Sequence, residues 1–387
     1  MKRLMKISAL VLALVMMVSL CACHPKDETA YTVKDGKTKA SVKITSAQYL
    51  YALTNATMEA QQNINNANSG KTIKDYTKYK VKETGEDGKE TETEYYKWIN
   101  KRAEEQIREY AASMLKKEEL DLKLDESIET NLKSYSDMYW QYYYQATFEK
   151  NGINSDTYLK MFKGSYFKNA YFLSIYDEKG SNPVDEKTVS KTFYDNYCLA
   201  DTIKISVKTE DANADSSENA QEEENKLTLD QAKSLLKGYK KRIEGKEKFA
   251  DIFAEYNKQY NKSDSENQQS ENSAEVYASD ETGNGSEYFE DVMKLKTGSI
   301  KILTSSDKSE VILVSKLNIK KSENNYLDSY HESVLHQLKD DEFEKDFKDY
   351  MNGLKLEANT TATKRLTAED IDVSQETASE DSSTAAQ

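Results

Sequence analysis

The sequence predicts an α+β protein that is mainly α, and three observations carry that prediction. Apolar residues recur at intervals of three and four through four long stretches: Glu94 to Leu122, Asp125 to Phe148, Ser155 to Tyr176 and Tyr330 to Leu354. Strict alternation, the mark of a half-buried strand, is confined to short runs after Ala200. The 387 residues are 37% hydrophobic and 32% charged, a balance that suits long amphipathic helices around a modest core.

At the N-terminus, Lys2, Arg3 and Lys6 precede an apolar run from Ile7 to Leu20 that is broken only by Ser8 and Ser19, as in an export signal. The run falls short of the roughly 20 apolar residues that a membrane-spanning helix needs. Leu20-Cys21-Ala22-Cys23 closes it and resembles the lipobox of bacterial lipoproteins, where a small residue precedes the cysteine that receives diacylglycerol. The resemblance implies a signal peptide over 1–22, lipid attachment at Cys23, and residence at the extracytoplasmic face of the cell membrane. Cys21 follows the bulky Leu20 and fits that role less well.

Removing the signal takes the net charge from −14 to −17. With Cys23 acylated, Cys198 is the one thiol left, which excludes an internal disulfide. Cys198 sits between Tyr197 and Leu199 with no neighbouring His, so it reads as a small packed residue. His24, His331 and His336 form no metal or triad pattern, and no nucleotide-binding motif or basic stripe is present. No cofactor, no metal and no nucleic-acid partner is therefore expected.

From the tether onward the elements read as follows. Residues 23–42 are polar and suggest a tether. Ile44, Thr45 and Ser46 end a short extended stretch and start a helix carrying Ala47, Leu50, Leu53 and Ala56. Residues 66–91 read as a loop or hairpin insertion, with Val81 on a short strand. Trp98, Ile99, Ala103, Ile107, Ala111 and Leu115 line the next helix. After Asp125, Leu132, Tyr135, Tyr139, Tyr142 and Tyr143 carry a face that ends at Asn151-Gly152. Tyr158, Phe162, Tyr166 and Leu173 follow, and a shorter helix starts after Pro183. Ile203, Ile205 and Val207 alternate as a strand, and Thr228 with Gln231 forms a capping box ahead of another helix. Phe249 to Tyr256 is helical, Tyr288 to Leu295 is a short helix, and Ile300–Leu303 with Val311–Ile319 reads as a hairpin. Polar, low-complexity stretches near 211–226 and 257–286, and the tail over 359–387, read as disordered.

This order resembles the foldase lipoproteins of the PrsA type and their relative SurA, in which a helical chaperone domain carries an inserted parvulin-type peptidyl-prolyl isomerase domain. Ile205 to Asp211 is similar to the family's first parvulin strand, Phe249 to Tyr256 to its second helix, and Phe289-Glu290-Asp291 with Leu295 to Gly298 to the segment closing the prolyl pocket. The resemblance implies a SurA-like multi-helix chaperone domain over 43–198 and 322–358, and a small parvulin-like α/β domain over 199–321. Lys204 and Glu310 stand where the family carries its histidine pair, so the parvulin site is degenerate. Phe289 and Met293 are the candidates for an apolar prolyl or client groove. Trp140, Tyr143, Tyr144, Phe167, Tyr171 and Phe172 lie partly off the main helix faces and are the candidate client-binding aromatics.

The function so implied is that of a membrane-anchored, ATP-independent chaperone whose partners are unfolded or translocating exported polypeptides. Two alternatives stand beside it: an active peptidyl-prolyl isomerase with a remodelled pocket, and an envelope scaffold or adaptor that retains the fold.

Overall fold

The computed structural model describes residues 27–85, 88–208, 226–260, 273–279 and 286–374. The expected signal peptide, Cys23, nearly all of 211–226 and the final part of the tail lie outside the described residues. Contacts divide the chain into two units: residues up to Ser181 together with those from Asp341, and Asn182–Asp340 between them. The architecture is α+β and mainly α.

The first unit begins with strands where a tether was expected. β1 (Thr29–Lys34) pairs antiparallel with β2 (Ser41–Thr45) on one side and with β9 (Lys355–Ala358) on the other. Ala30, Tyr31, Val33 and Ile44 are buried, which a solvated tether could not supply. Alternation here is short and half polar, so it does not stand out from the surrounding charged residues. α1 (Ser46–Ala67) starts at a full capping box: the Thr45 side chain accepts from Gln48 N, and Thr45 N donates to Gln48 Oε1 at 3.0 Å. The insertion after it contains a hairpin, β3 (Lys80–Thr84) with β4 (Glu90–Glu94), whose side chains are mostly charged or Thr.

α2 (Tyr95–Glu119) packs along α1 through Trp98, Ile99, Ala103, Ile107 and Ala111, all of them buried. α3 (Glu126–Tyr139) runs into one π-helical turn, Trp140–Tyr144, and then α4 (Gln145–Lys150). Gly152, at φ 78°, allows the chain to reverse after α4, a conformation an L side chain rarely adopts. α5 (Ser155–Tyr176) is capped by Asn154, whose side chain accepts from Thr157 N at 3.0 Å. Gly164 sits where α5 meets α2: a Cβ there would lie 2.8 Å from the Tyr110 ring.

The region from Asn359 onward is folded as far as Ser374, in contrast to the expected disordered tail. Asn359 caps α12 (Thr360–Thr363), Ala362, Leu366 and Ala368 are buried, and Asp372 N donates to Asn151 Oδ1 at 2.9 Å. Lys150 Nζ stands 2.6 Å from the Asp372 carboxylate.

The second unit starts earlier and ends later than the expected 199–321. α6 (Glu186–Asn196) belongs to it; it starts after Pro183 and is capped by Asp185, whose side chain accepts from Thr188 N. Its sheet has the order β6-β5-β8-β7, all antiparallel, with β5 Tyr197–Ser206, β6 Ala274–Ala278, β7 Ile300–Thr304 and β8 Glu310–Lys316. β6 falls inside the stretch 257–286 that reads as disordered; its small and polar neighbours mask a strand whose Val276, Tyr277 and Ala278 are buried. Ile203, Ile205, Val207, Val311 and Leu313 on one face meet α7 (Leu229–Glu244) and α8 (Phe249–Tyr260), the latter extending four residues past Tyr256. Cys198, Ala200, Tyr277, Leu303, Ile312 and Val314 on the other face meet Tyr288 and the short α9 (Phe289–Met293). On the outer strand β7, Lys301 pairs with Asp291 at 2.5 Å. α10 (Tyr326–Ser329) follows, and α11 (His331–Gly353) contributes its residues up to Asp340 to this unit and the rest to the first.

Trp98 is among the largest fully buried side chains of the first unit. Trp98→Ala is expected to destabilise that unit by about 3–5 kcal/mol, through lost burial and the cavity left behind. Chemical denaturation checks it, and an unchanged midpoint would contradict the packing described.

Candidate functional site

The most distinctive surface of the first unit is a groove lined by rings alone. Tyr135 and Tyr139 on α3, Tyr144 on the π-turn, and Tyr158, Phe162 and Tyr166 on α5 enclose a cavity of about 410 Å³. Sequence spacing builds both walls: Tyr135 and Tyr139 are four apart on one helix, and Tyr158, Phe162 and Tyr166 are four apart on the other, so each set shares one helix face. Two pairs of rings meet across the groove. Tyr144 and Tyr158 have centroids 5.5 Å apart and Tyr139 and Phe162 6.4 Å, while Tyr135 and Tyr166 line the same cavity.

A buried cluster supports the groove from beneath. Trp140, Phe148, Ile153 and Tyr158 pack together, with Tyr51 stacked on Phe148 at 5.1 Å and an interplanar angle of 5°. The π-turn matters here, because it inserts an extra residue into the helical phase. Trp140 turns inward, Tyr142 and Tyr143 are left 72% and 70% exposed, and Tyr143 lies against Tyr139 and Tyr144 of the groove. Burial raises the Tyr158 and Tyr166 phenol pKa values above the ordinary one, so both hydroxyls stay protonated at neutral pH.

The structure redistributes the six candidate aromatics. Trp140, Phe167 and Phe172 are buried and cannot contact a client: Phe172 packs against Tyr176 and Phe343, and Lys117 lies over the Phe167 ring. Tyr171 is half-buried against Phe343 and Phe347, with Lys116 over its ring. Tyr144 lines the groove and Tyr143 lies exposed near it, 6.4 Å from Tyr144. Conversely Tyr135, on the face expected to be buried, is 52% exposed and lines the groove. Helical period identified the faces correctly, but with aromatics around the whole helix it could not say which face was inward. The signal that could have found the groove is the doubled i, i+4 tyrosine spacing on two neighbouring helices.

In the second unit, Lys204 and Glu310 project from the same sheet face on adjacent strands, opposite Ile312 and Ser206 respectively. They take different partners. Lys204 Nζ pairs with Glu275 Oε2 at 2.8 Å, a charge contact rather than a directed hydrogen bond, while Tyr288 Oη donates to Glu310 Oε1 at 3.1 Å. Between these pairs the Thr202 and Tyr277 hydroxyls hydrogen-bond at 2.8 Å in a buried site. Phe289 is only 7% exposed and belongs to the core of this face, with Met293 half-buried against it. The expected groove at Phe289 and Met293 is thus filled by packing: α9 lies directly on the sheet. The face presents paired charges and closed hydroxyls rather than an open pocket for a proline ring.

The site and fold together define an α+β protein with a helical unit bearing an open aromatic groove and a second unit built on an antiparallel sheet. No family model matches the sequence, and no curated protein matches it. Solved structures do match. The foldase protein PrsA from Streptococcus pneumoniae is 14% identical, with a TM-score of 0.35 over 76% of this chain and 96% of that one. PrsA from Lactococcus lactis is 11% identical, with a TM-score of 0.37 over 88% and 100%. PrsA from Bacillus subtilis is 14% identical, with a TM-score of 0.31 over 70% and 90%.

Burial pushes the Cys198 thiol up to about 11. Its thiolate, the reactive form, is therefore scarce near neutral pH. With Cys198 followed by its own peptide in mass spectrometry, alkylation at pH 8 is expected to be at least about a hundredfold slower in the native protein than in denaturant. Equal rates would show that the sheet face is open.

Proposed function

We propose that this protein is a membrane-anchored extracytoplasmic chaperone of the foldase class, binding unfolded exported polypeptides without nucleotide. The observation that carries the reading is the ring-lined groove, with the exposed Tyr143 beside Tyr139 and Tyr144 of its lining. No charged residue lines the groove. Tyrosine suits such a surface: its ring offers apolar contact to many side chains and its hydroxyl tolerates water when the groove is empty. An aromatic side chain is also ordered at small entropic cost, because only two torsions are fixed.

Peptidyl-prolyl isomerase activity is not part of the proposal. Catalysis needs a pocket that favours the twisted amide over both planar forms. The corresponding sheet face is occupied by Phe289, the Lys204–Glu275 pair and the Tyr288–Glu310 hydrogen bond. The second unit serves in this reading as a folded body that has kept its core and closed its former pocket. Attachment to the membrane through diacylglycerol on Cys23 completes the proposal, and two acyl chains make such attachment stable at about 0.8 kcal/mol per buried methylene.

The groove is tested by the combined variant Tyr135→Ala, Tyr139→Ala and Tyr166→Ala. At about 1 kcal/mol per ring contact, the concentration giving half-maximal suppression of aggregation should rise at least about tenfold for several unrelated unfolded proteins. Unchanged suppression by a variant of native circular dichroism would remove the groove from the reading. The anchor is tested separately, by incorporation of labelled fatty acid into wild type and its loss in Cys23→Ala. An unlabelled wild type would refute it.

A further inference from the structure

The point at which the chain leaves the first unit toward Cys23 bears on its exposed aromatic surface. Glu28, the residue before β1, is bonded to the start of α1: its carbonyl accepts from Ser46 N at 2.7 Å. Arg365 pairs with the Glu28 carboxylate, and Asn359 Nδ2 donates to Thr29 O at 2.9 Å, so the exit point is fixed. Cys23 stands five residues before Glu28. A stretch of that length spans at most about 18 Å. Anchored at Cys23, the protein keeps this end of the first unit close to the bilayer, without the slack that a longer tether would give.

The turn between α4 and α5 lies at the same end. Tyr51, five residues on from Ser46 and about 7.5 Å along the α1 axis, stacks on Phe148 of α4 at 5.1 Å. A strap joins the two places: Arg365 holds Glu28, and seven residues later Asp372 N donates to Asn151 Oδ1 at 2.9 Å. Seven residues span at most about 25 Å. The opposite end of α1, a helix of 22 residues and about 33 Å, belongs to the hairpin β3–β4. Gln61 and Asn65, toward that far end, bond the Tyr95 and Tyr76 hydroxyls on either side of the hairpin.

Of the eight large apolar side chains exposed among the described residues, six lie between Ile128 and Tyr143, so one segment concentrates them. Tyr135 and Tyr139 line the groove; Met138, Tyr142 and Tyr143 stand outside its lining. Tyr142 precedes Asn151 by nine residues, at most about 14 Å along the helix, which places it near the anchored end. From Ser134 to Thr147 the sole charge is Asp137, paired with Lys133 at 2.7 Å, in a chain that is 32% charged.

We propose that Met138, Tyr142 and Tyr143 rest in the headgroup interface of the membrane that holds the anchor, a second contact with lipid besides the acyl chains. The inference rests on acylation of Cys23. Tyrosine suits this position, its ring in the apolar layer and its hydroxyl among the headgroups. Three side chains bind lipid weakly by themselves, and a tether this short raises their effective concentration at the bilayer enough to hold them there. With no cation in the patch, the contact needs neither anionic lipid nor low salt.

The test uses the acylated full chain in phosphatidylcholine vesicles that carry a spin-labelled headgroup as quencher. Fluorescence is read from Tyr142→Trp and, as reference, from Thr91→Trp on β4, after subtraction of the wild-type signal of Trp98 and Trp140. Tyr142→Trp should lose at least about half of its emission and Thr91→Trp little, at low and high salt alike. Adding Cys23→Ala to Tyr142→Trp should abolish the quenching. Equal quenching at both positions, or none at either, in folded protein that floats with the vesicles overturns the lipid contact and leaves the anchor standing. A Tyr142→Trp signal that responds only to added unfolded polypeptide, or only to protein concentration, assigns the patch to a client or a second copy and overturns it too. Wild type that does not float with the vesicles overturns both contact and anchor.

Discussion

The pairing of β1 with β9 is the interaction on which the first unit depends. It joins residues 29–34 to residues 355–358, across the whole length of the intervening sequence, with Tyr31 opposite Ala358 and Lys34 opposite Lys355. The chain leaves this unit after Ser181 and returns at Asp341, so the unit is assembled from two separated pieces. Strand pairing at such separation carries a closure entropy that grows only slowly with loop length. The buried Ala30, Tyr31 and Val33 and the Asn359 side-chain bond to Thr29 O at 2.9 Å supply the compensating contacts. A large insertion is then tolerated between the two pieces without disturbing the helices that form the groove.

Those helices were the legible part of the sequence. Four-residue periodicity located α2, α3 and α5, and the Thr45/Gln48 and Thr228/Gln231 caps lie at the starts of helices with both reciprocal hydrogen bonds made. The elements that escaped are β1, β6 and β9, of six, five and four residues. Alternation over so short a run is easily imitated by a polar loop, and strand identity there comes from partners distant in sequence. The ordered stretch 359–374 escaped for a related reason: it has little periodicity of its own and is held by Asn151, Lys150 and a few buried small residues.

The groove was half legible. The density of aromatics between Tyr135 and Tyr176 pointed to the right segment, but the choice among them was inverted by two physical effects. Aromatics surround α3 and α5, so periodicity marks faces without ranking them. The π-turn at Trp140–Tyr144 then shifts the phase, an event that no local composition announces. In the second unit the resemblance singled out Lys204 and Glu310, at the positions where the resembled family carries histidines. What could not be read was that each has found another partner, Glu275 on a strand hidden within a polar stretch and Tyr288 beside the short helix.

The hairpin β3–β4 carries a further consequence. Two strands have two edges, and each edge of unpaired backbone is a template for another strand. Lys80, Lys82, Glu83, Glu90, Glu92 and Glu94 crowd this hairpin, and Lys301 marks the outer strand of the other unit's sheet. Charge along these edges opposes their pairing with the edges of other chains, so exposed rings and guarded strand edges coexist in the first unit.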